Sequence, residues 1–142
     1  MKKIQKRLNK LDVKPESTVS TDNYEMDNNE KRAKKILEKF GFNFKQEYGN
    51  EIRQLLNEEI DNYQEGSSEY LRVLCGFLFC IGDPADIELI KKAKYKINMD
   101  VGCMINGEWI DSMENATVDY DIRERGELIE DYIEYYKHYF HL

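Results

Sequence analysis

The chain has 142 residues, 41% of them hydrophobic and 12% aromatic, with 35% charged and only 2 prolines. That length fits one domain around one core, and the composition excludes general disorder and favours a helical body over a turn-rich sheet sandwich. Lys and Arg total 21 against 28 Asp and Glu, a net charge of −7, which disfavours nucleic acid and anionic lipid and favours a basic protein as partner.

The charge is unevenly placed. Residues 1–60 carry 13 Lys/Arg and 11 Asp/Glu, residues 61–96 carry 5 and 6, and residues 97–142 carry 3 and 11. The acidity therefore lies in the last third. The cysteines, Cys75, Cys80 and Cys103, are odd in number and sit in apolar stretches. Such usage suits reduced, buried thiols and a cytoplasmic setting better than a secreted disulfide framework. Gln5, Lys6, Arg7, Asn9 and Lys10 interrupt anything resembling a signal-peptide core, and the longest apolar run, residues 73–81, is far shorter than the roughly 20 residues of a membrane span. A soluble protein with no membrane partner is expected.

Residues 1–11 form a basic segment in which Ile4, Leu8 and Leu11 share one helical face, available to dock on the core. Residues 12–29 mix Pro15, Ser17, Thr18, Ser20 and Thr21 with Asn and Asp, without a period, and read as a flexible connector. The domain division is thus 1–29 for the N-terminal helix and connector, and 30–142 for a single helical body. A helix over 30–40 takes Asn28 or Asn29 as its cap, places Ala33, Ile36, Leu37 and Phe40 on one stripe and ends at Gly41. A second, from Gln46 or Asn50 to Tyr63, carries Ile52, Leu55, Leu56, Ile60 and Tyr63 and pairs antiparallel with the first.

The third helix, 69–81, is capped by Ser67 or Ser68, and its sequence is apolar nearly all round, which predicts burial on most sides. Gly82 stops it, Asp83 caps the next helix and Pro84 suits its first position, so a fourth helix runs from 84 to 97. Over 101–113, Asn106-Gly107 is a hairpin signal, yet Val101, Met104, Ile105, Trp109 and Met113 form a helical stripe; a helix capped by Asp100 is the preferred reading. The last helix, 121–140, puts Ile122, Ile129, Tyr132, Ile133, Tyr136 and Phe140 toward the core.

Residues 78–95, LFCIGDPADIELIKKAKY, resemble the inter-helix turn of HEAT-like repeats, with Gly82, Asp83, Pro84, Ala85, Ile87 and Leu89/Ile90 supplying the pattern. The match covers one repeat and extends weakly to the preceding pair, where Gly41 and Gly66 lie 25 residues apart. The resemblance implies an all-α fold, a short right-handed α-α superhelix of antiparallel helix pairs with about six helices. Residues 86–110 are also similar to stretches of small acidic immunity proteins of bacterial polymorphic toxin systems. That likeness implies an inhibitor of a cognate toxin.

No phosphate-cradling Gly-rich loop and no G-x-S-x-G, H-E-x-x-H or C-x-x-C motif occurs. The cysteines lack a neighbouring base, and the carboxylates are abundant with none set apart. No enzyme, cofactor or catalytic residue is expected. Glu134, His138 and His141 have metal-compatible helical spacing, but cationic residues at a helix C-terminus answer the dipole without a metal. The partner-binding candidates are Glu108, Trp109 and Asp111, the stripe Glu124, Glu127, Asp131 and Glu134, and the aromatic anchors Tyr135 and Tyr139. Tyr120, Tyr132 and Tyr136 belong to the same aromatic set, with several of these rings required for the core. A basic protein, nuclease-like toxin domains included, is the partner this pattern favours. A scaffold binding a peptide on the concave face is the alternative, and a base-excision enzyme is opposed by the charge.

Overall fold

The structure is a computed structural model that describes residues 25–115 and 123–142. The N-terminal helix expected over 1–11, most of the connector, and Tyr120 and Ile122 lie outside the described residues. Within them the fold is all-α, with seven α-helices and no strand.

Helix α1 (Asn28–Phe40) is capped by Asp27, one residue before Asn28 and two before Asn29, the caps expected from the sequence, because Asp27 and Glu30 form a reciprocal capping box. The Asp27 carboxylate accepts from the Glu30 amide at 2.8 Å, and the Glu30 carboxylate accepts from the Asp27 amide at 3.0 Å. Asp27 also accepts from the Ser67 amide, and the Asn29 amide group donates to the carbonyl of Gln64. The helical body therefore takes in Asp27 and the buried Asn29, ahead of the boundary at residue 30 that the sequence predicts.

A 3-10 turn (Gln46–Tyr48) leads into α2 (Gly49–Asp61). Arg32 forks onto Glu59 at 2.8 and 2.9 Å, and Lys39 pairs with Glu51. Early residues of α1 thus face late residues of α2 and the reverse, which is the antiparallel pair the sequence predicts.

Helix α3 (Glu69–Ile81) is the axis of the molecule. It packs against α1 and α2 on one side and touches α4, α5 and α6 on the other. Its N-terminus lies at the N-terminus of α1 through the Asp27–Ser67 bond, and Phe77 meets Phe40 edge-on at 5.8 Å. The two helices are parallel. Gly82 ends α3 with φ of 86°, a left-handed cap, and Asp83 accepts from the Ala85 amide to open a 3-10 turn (Pro84–Asp86) and then α4 (Ile87–Lys96). The Gly-Asp-Pro turn forms as expected, with its first turn tightened. Arg53 of α2 reaches across to Asp86 at 2.5 and 3.0 Å, locking the turn onto the preceding pair.

The region 101–113 is neither one helix nor a hairpin. It forms α5 (Met99–Met104) and α6 (Gly107–Glu114). Asn98, not Asp100, caps α5, and Asn106 caps α6 by accepting from the Glu108 amide at 2.9 Å. An Asn-Gly pair serves as N-cap and first helical residue as readily as it serves a hairpin. Lys94 donates to the carbonyls of Gly102 and Ile105, which satisfies the end of α5.

Helix α7 (Arg125–Phe140) lies antiparallel to α3. Arg125 donates to the Cys80 carbonyl, the Tyr132 hydroxyl to the Val73 carbonyl, and the Tyr136 hydroxyl to Glu69. Leu128, Tyr132, Tyr136 and Phe140 are buried, while Ile129 and Ile133 are half-buried. At the crossing a Cβ on Gly76 would stand 2.1 Å from the Tyr132 ring and 3.0 Å from Trp109, so only glycine admits these rings.

Glycine to alanine normally stabilises a helix, and the helical glycines Gly76 and Gly126 are expected to respond oppositely. Gly76→Ala costs about 1–3 kcal/mol by overpacking. Gly126→Ala, where a Cβ meets nothing within 4 Å, gains about 0.4–1 kcal/mol. Urea midpoints of the two variants check the pair.

Candidate protein-binding surface

The outward face of α7 carries the acidic residues. At about 100° per residue, Glu124, Glu127, Glu130, Asp131 and Glu134 fall within an arc of about 120°, opposite the buried Leu128, Tyr132 and Tyr136. All five are exposed. Glu124, the residue before the helix, makes no side-chain cap bond. Among the described residues, no ion pair or hydrogen bond engages the carboxylates of Glu124, Glu127, Glu130 or Glu134.

Asp131 is different. Arg123 spans the gap between α6 and α7, holding Glu108 through its Nε at 3.2 Å and Nη2 at 2.9 Å and reaching Asp131 through Nη1. This fork is the planar match between guanidinium and carboxylate. The Arg123 bond is the first cause that keeps the Glu108 carboxyl below its ordinary range, with partial burial opposing it. Two of the acids expected to meet a partner are therefore already neutralised within the chain. Asp111 is exposed on α6, and no contact among the described residues ties it to the α7 face.

Trp109 is not a surface anchor. It is 2% exposed, stacked on Phe79 at 5.8 Å and edge-on to Tyr132 at 5.9 Å. The short α6 has one apolar face to bury, and Trp109 with Ile110 is that face. Tyr139 is half-buried and its hydroxyl bonds Glu30. Tyr135 keeps 37% exposure at the margin of the acidic arc, with its hydroxyl donating to Glu69 at 2.7 Å. Burial, and then the Glu69 carboxylate, push the Tyr135 hydroxyl up to about 12. Of the aromatic candidates among the described residues, Tyr135 alone presents a large exposed ring beside the acids.

Beneath that face lie two buried carboxylates that no local pattern in the sequence singles out. Glu30 and Glu69, each 3% exposed, open α1 and α3 and receive the hydroxyls of Tyr139, Tyr135 and Tyr136. The Arg72 guanidinium lies over the rings of Tyr135 at 4.2 Å and of Trp109 and Tyr136 at 5.2 Å each. First-turn glutamates look like ordinary helix-dipole complements in a sequence. The run Tyr132, Tyr135, Tyr136, Tyr139 was the available signal, since that spacing aims four hydroxyls at neighbouring helices.

Cys75 and Cys80 are buried as expected, and burial drives both thiols up, Cys80 to about 12. Cys103 is exposed, contrary to expectation, because the short α5 buries Val101 and turns Cys103 outward. His138 and His141 are exposed, and no cluster of metal-ligating side chains occurs among the described residues. Among them, no helix is long and apolar enough to cross a membrane. The chain matches no family model, no curated protein and no solved structure.

Two outcomes follow from this chemistry. A disulfide reagent at mildly alkaline pH is expected to modify Cys103 in the native protein, leaving Cys75 and Cys80 untouched until denaturant is added; mass spectrometry counts the adducts. Glu108 has a depressed folded-state pKa, so the stability it supplies is complete above the unfolded value of about 4.3 and is lost as pH falls through the lower folded value. Arg123→Gln is expected to lower Tm at neutral pH by a modest amount, exposed pairs being worth about 0.2–1 kcal/mol. The gap to the unsubstituted chain closes below about pH 4, as thermal melts across that range would record.

Proposed function

We propose that this chain is a non-enzymatic protein-binding module of HEAT-like build, an immunity or inhibitor protein that covers the basic surface of a cognate toxin domain in the bacterial cytoplasm. The observation that carries this reading is the outward face of α7, where Glu124, Glu127, Glu130 and Glu134 stand exposed without an internal cation among the described residues. Like charges at helical i, i+3 and i+4 spacing cost each other a few tenths of a kcal/mol. A basic partner recovers that cost on binding. A field of one sign also steers a basic protein into encounter, raising the on-rate at low ionic strength.

The surroundings support the same reading. The acidic face is seated on a rigid base, because the hydroxyls beneath it are fixed to buried carboxylates, and preformed surfaces lose less entropy on docking. Tyr135 supplies an aromatic ring at the margin, the kind of residue that anchors interfaces. The parallel α1 and α3, with α2 antiparallel to α1, support the HEAT-like assignment.

The test is affinity capture from the source cells with the chain immobilised, at about 50 mM and about 500 mM salt, a range over which exposed charges become screened. The expected result is a basic protein retained at low salt and released at high salt. Its toxic activity is blocked by the unsubstituted chain and spared by the E124K/E127K/E134K variant. Equal capture and equal inhibition by that variant would overturn the assignment of the surface.

A further inference from the structure

The acidic face of α7 has a candidate occupant within the same polypeptide. Lys2, Lys3, Lys6, Arg7 and Lys10 make residues 1–11 uniformly basic, with no acidic residue among them. Lys3, Lys6 and Lys10 follow the spacing i, i+3, i+7. The acids Glu127, Glu130 and Glu134, which hold no internal cation among the described residues, follow the same spacing.

The point of attachment is equally suited. Glu30, three residues after Asp27 in the capping box that opens α1, receives the Tyr139 hydroxyl, so the described chain begins beside the C-terminal end of α7. The stripe from Glu134 back to Glu124 extends about 15 Å along the helix at 1.5 Å per residue. Residues 12–24, at roughly 3.3–3.6 Å each when extended, reach about 45 Å. Every acid of the stripe is within range.

We propose that residues 1–11 dock on the acidic face of α7 of the same molecule, so that the basic partner must displace them. The proposal rests on the reading of that face as a binding surface, and it adds an internal competitor. A short tether holds its ligand at an effective concentration of about 1 mM. Contacts with a dissociation constant near that value, too weak to measure between separate molecules at ordinary concentrations, therefore leave the face covered about half the time.

The test uses the full chain, labelled with nitrogen-15, beside a variant carrying K2Q, K3Q, K6Q, R7Q and K10Q. At low salt the expected result is a set of amide shift differences that, outside the substituted segment itself, is confined to Glu124–Glu134, independent of protein concentration and abolished at about 0.5 M salt, where the screening length is about 4 Å. In the reciprocal arm, E124Q/E127Q/E134Q is expected to move the amides of residues 2–10. Unmoved α7 amides, or shifts falling on another face, overturn the proposal. Shifts that grow with protein concentration also overturn it and assign the segment to a second copy. If α7 is unmoved while capture of the partner stays charge-dependent, the internal competitor fails and the binding reading stands; docking seen alongside charge-independent capture is the reverse.

Discussion

The described helices are arranged around one of their number that has almost no outward face. Helix α3 is apolar on nearly every side, so each remaining helix must supply cover, and the order in which they do so is the fold. Antiparallel α1 and α2 take one flank, α4, α5 and α6 touch the other, and α7 closes the last. Gly76 marks the tightest point, where α7 approaches close enough that a methyl group would enter the Tyr132 ring. The acidic surface is a consequence of this requirement, because a helix that turns tyrosines inward to cover α3 has only its opposite face for charge.

Burying carboxylates is the chemical cost of that arrangement, and the protein meets it in a repeated way. Glu59 and Asp86 are each forked by an arginine from the neighbouring helix, while Glu30 and Glu69 are held by tyrosine hydroxyls and, for Glu30, the Asp27 amide. Removing one partner from such a group leaves a desolvated charge and is far more damaging than losing an exposed pair. These four carboxylates fix the relative placement of α1, α2, α3, the Gly-Asp-Pro turn and α7. The exposed acids above them are free to serve another purpose.

Local signals made much of this legible in the sequence. The bounds of α3, the Gly82-Asp83-Pro84 turn and the pairing of α1 with α2 follow from periodicity and caps, which act over a few residues. Three features did not. The acidic neighbours Glu108 and Asp111 predict an exposed Trp109, whereas the brevity of α6 forces its one large ring inward. Cys103 was expected inside for the converse reason. Arg123 was counted only within a net charge, although it neutralises Glu108 and Asp131 across two helices. Each depends on contacts between elements, which spacing along one element does not encode. The exposure of Glu127 and Glu134 is legible because a helical face is a local property; Glu124, expected on the helix, stands exposed just before it.

The bond from Tyr139 to Glu30 joins residues 109 positions apart, and it gives the molecule a different folding character from an open helical array. In a solenoid each repeat touches only its neighbours, so segments form and fray semi-independently and the array grows or shortens at its ends. Here the last helix is fastened to the first one described, raising the sequence separation of key contacts and with it the entropy that must be spent before they form. Losing that final helix therefore requires breaking its bonds to both α1 and α3, not fraying at a free end alone.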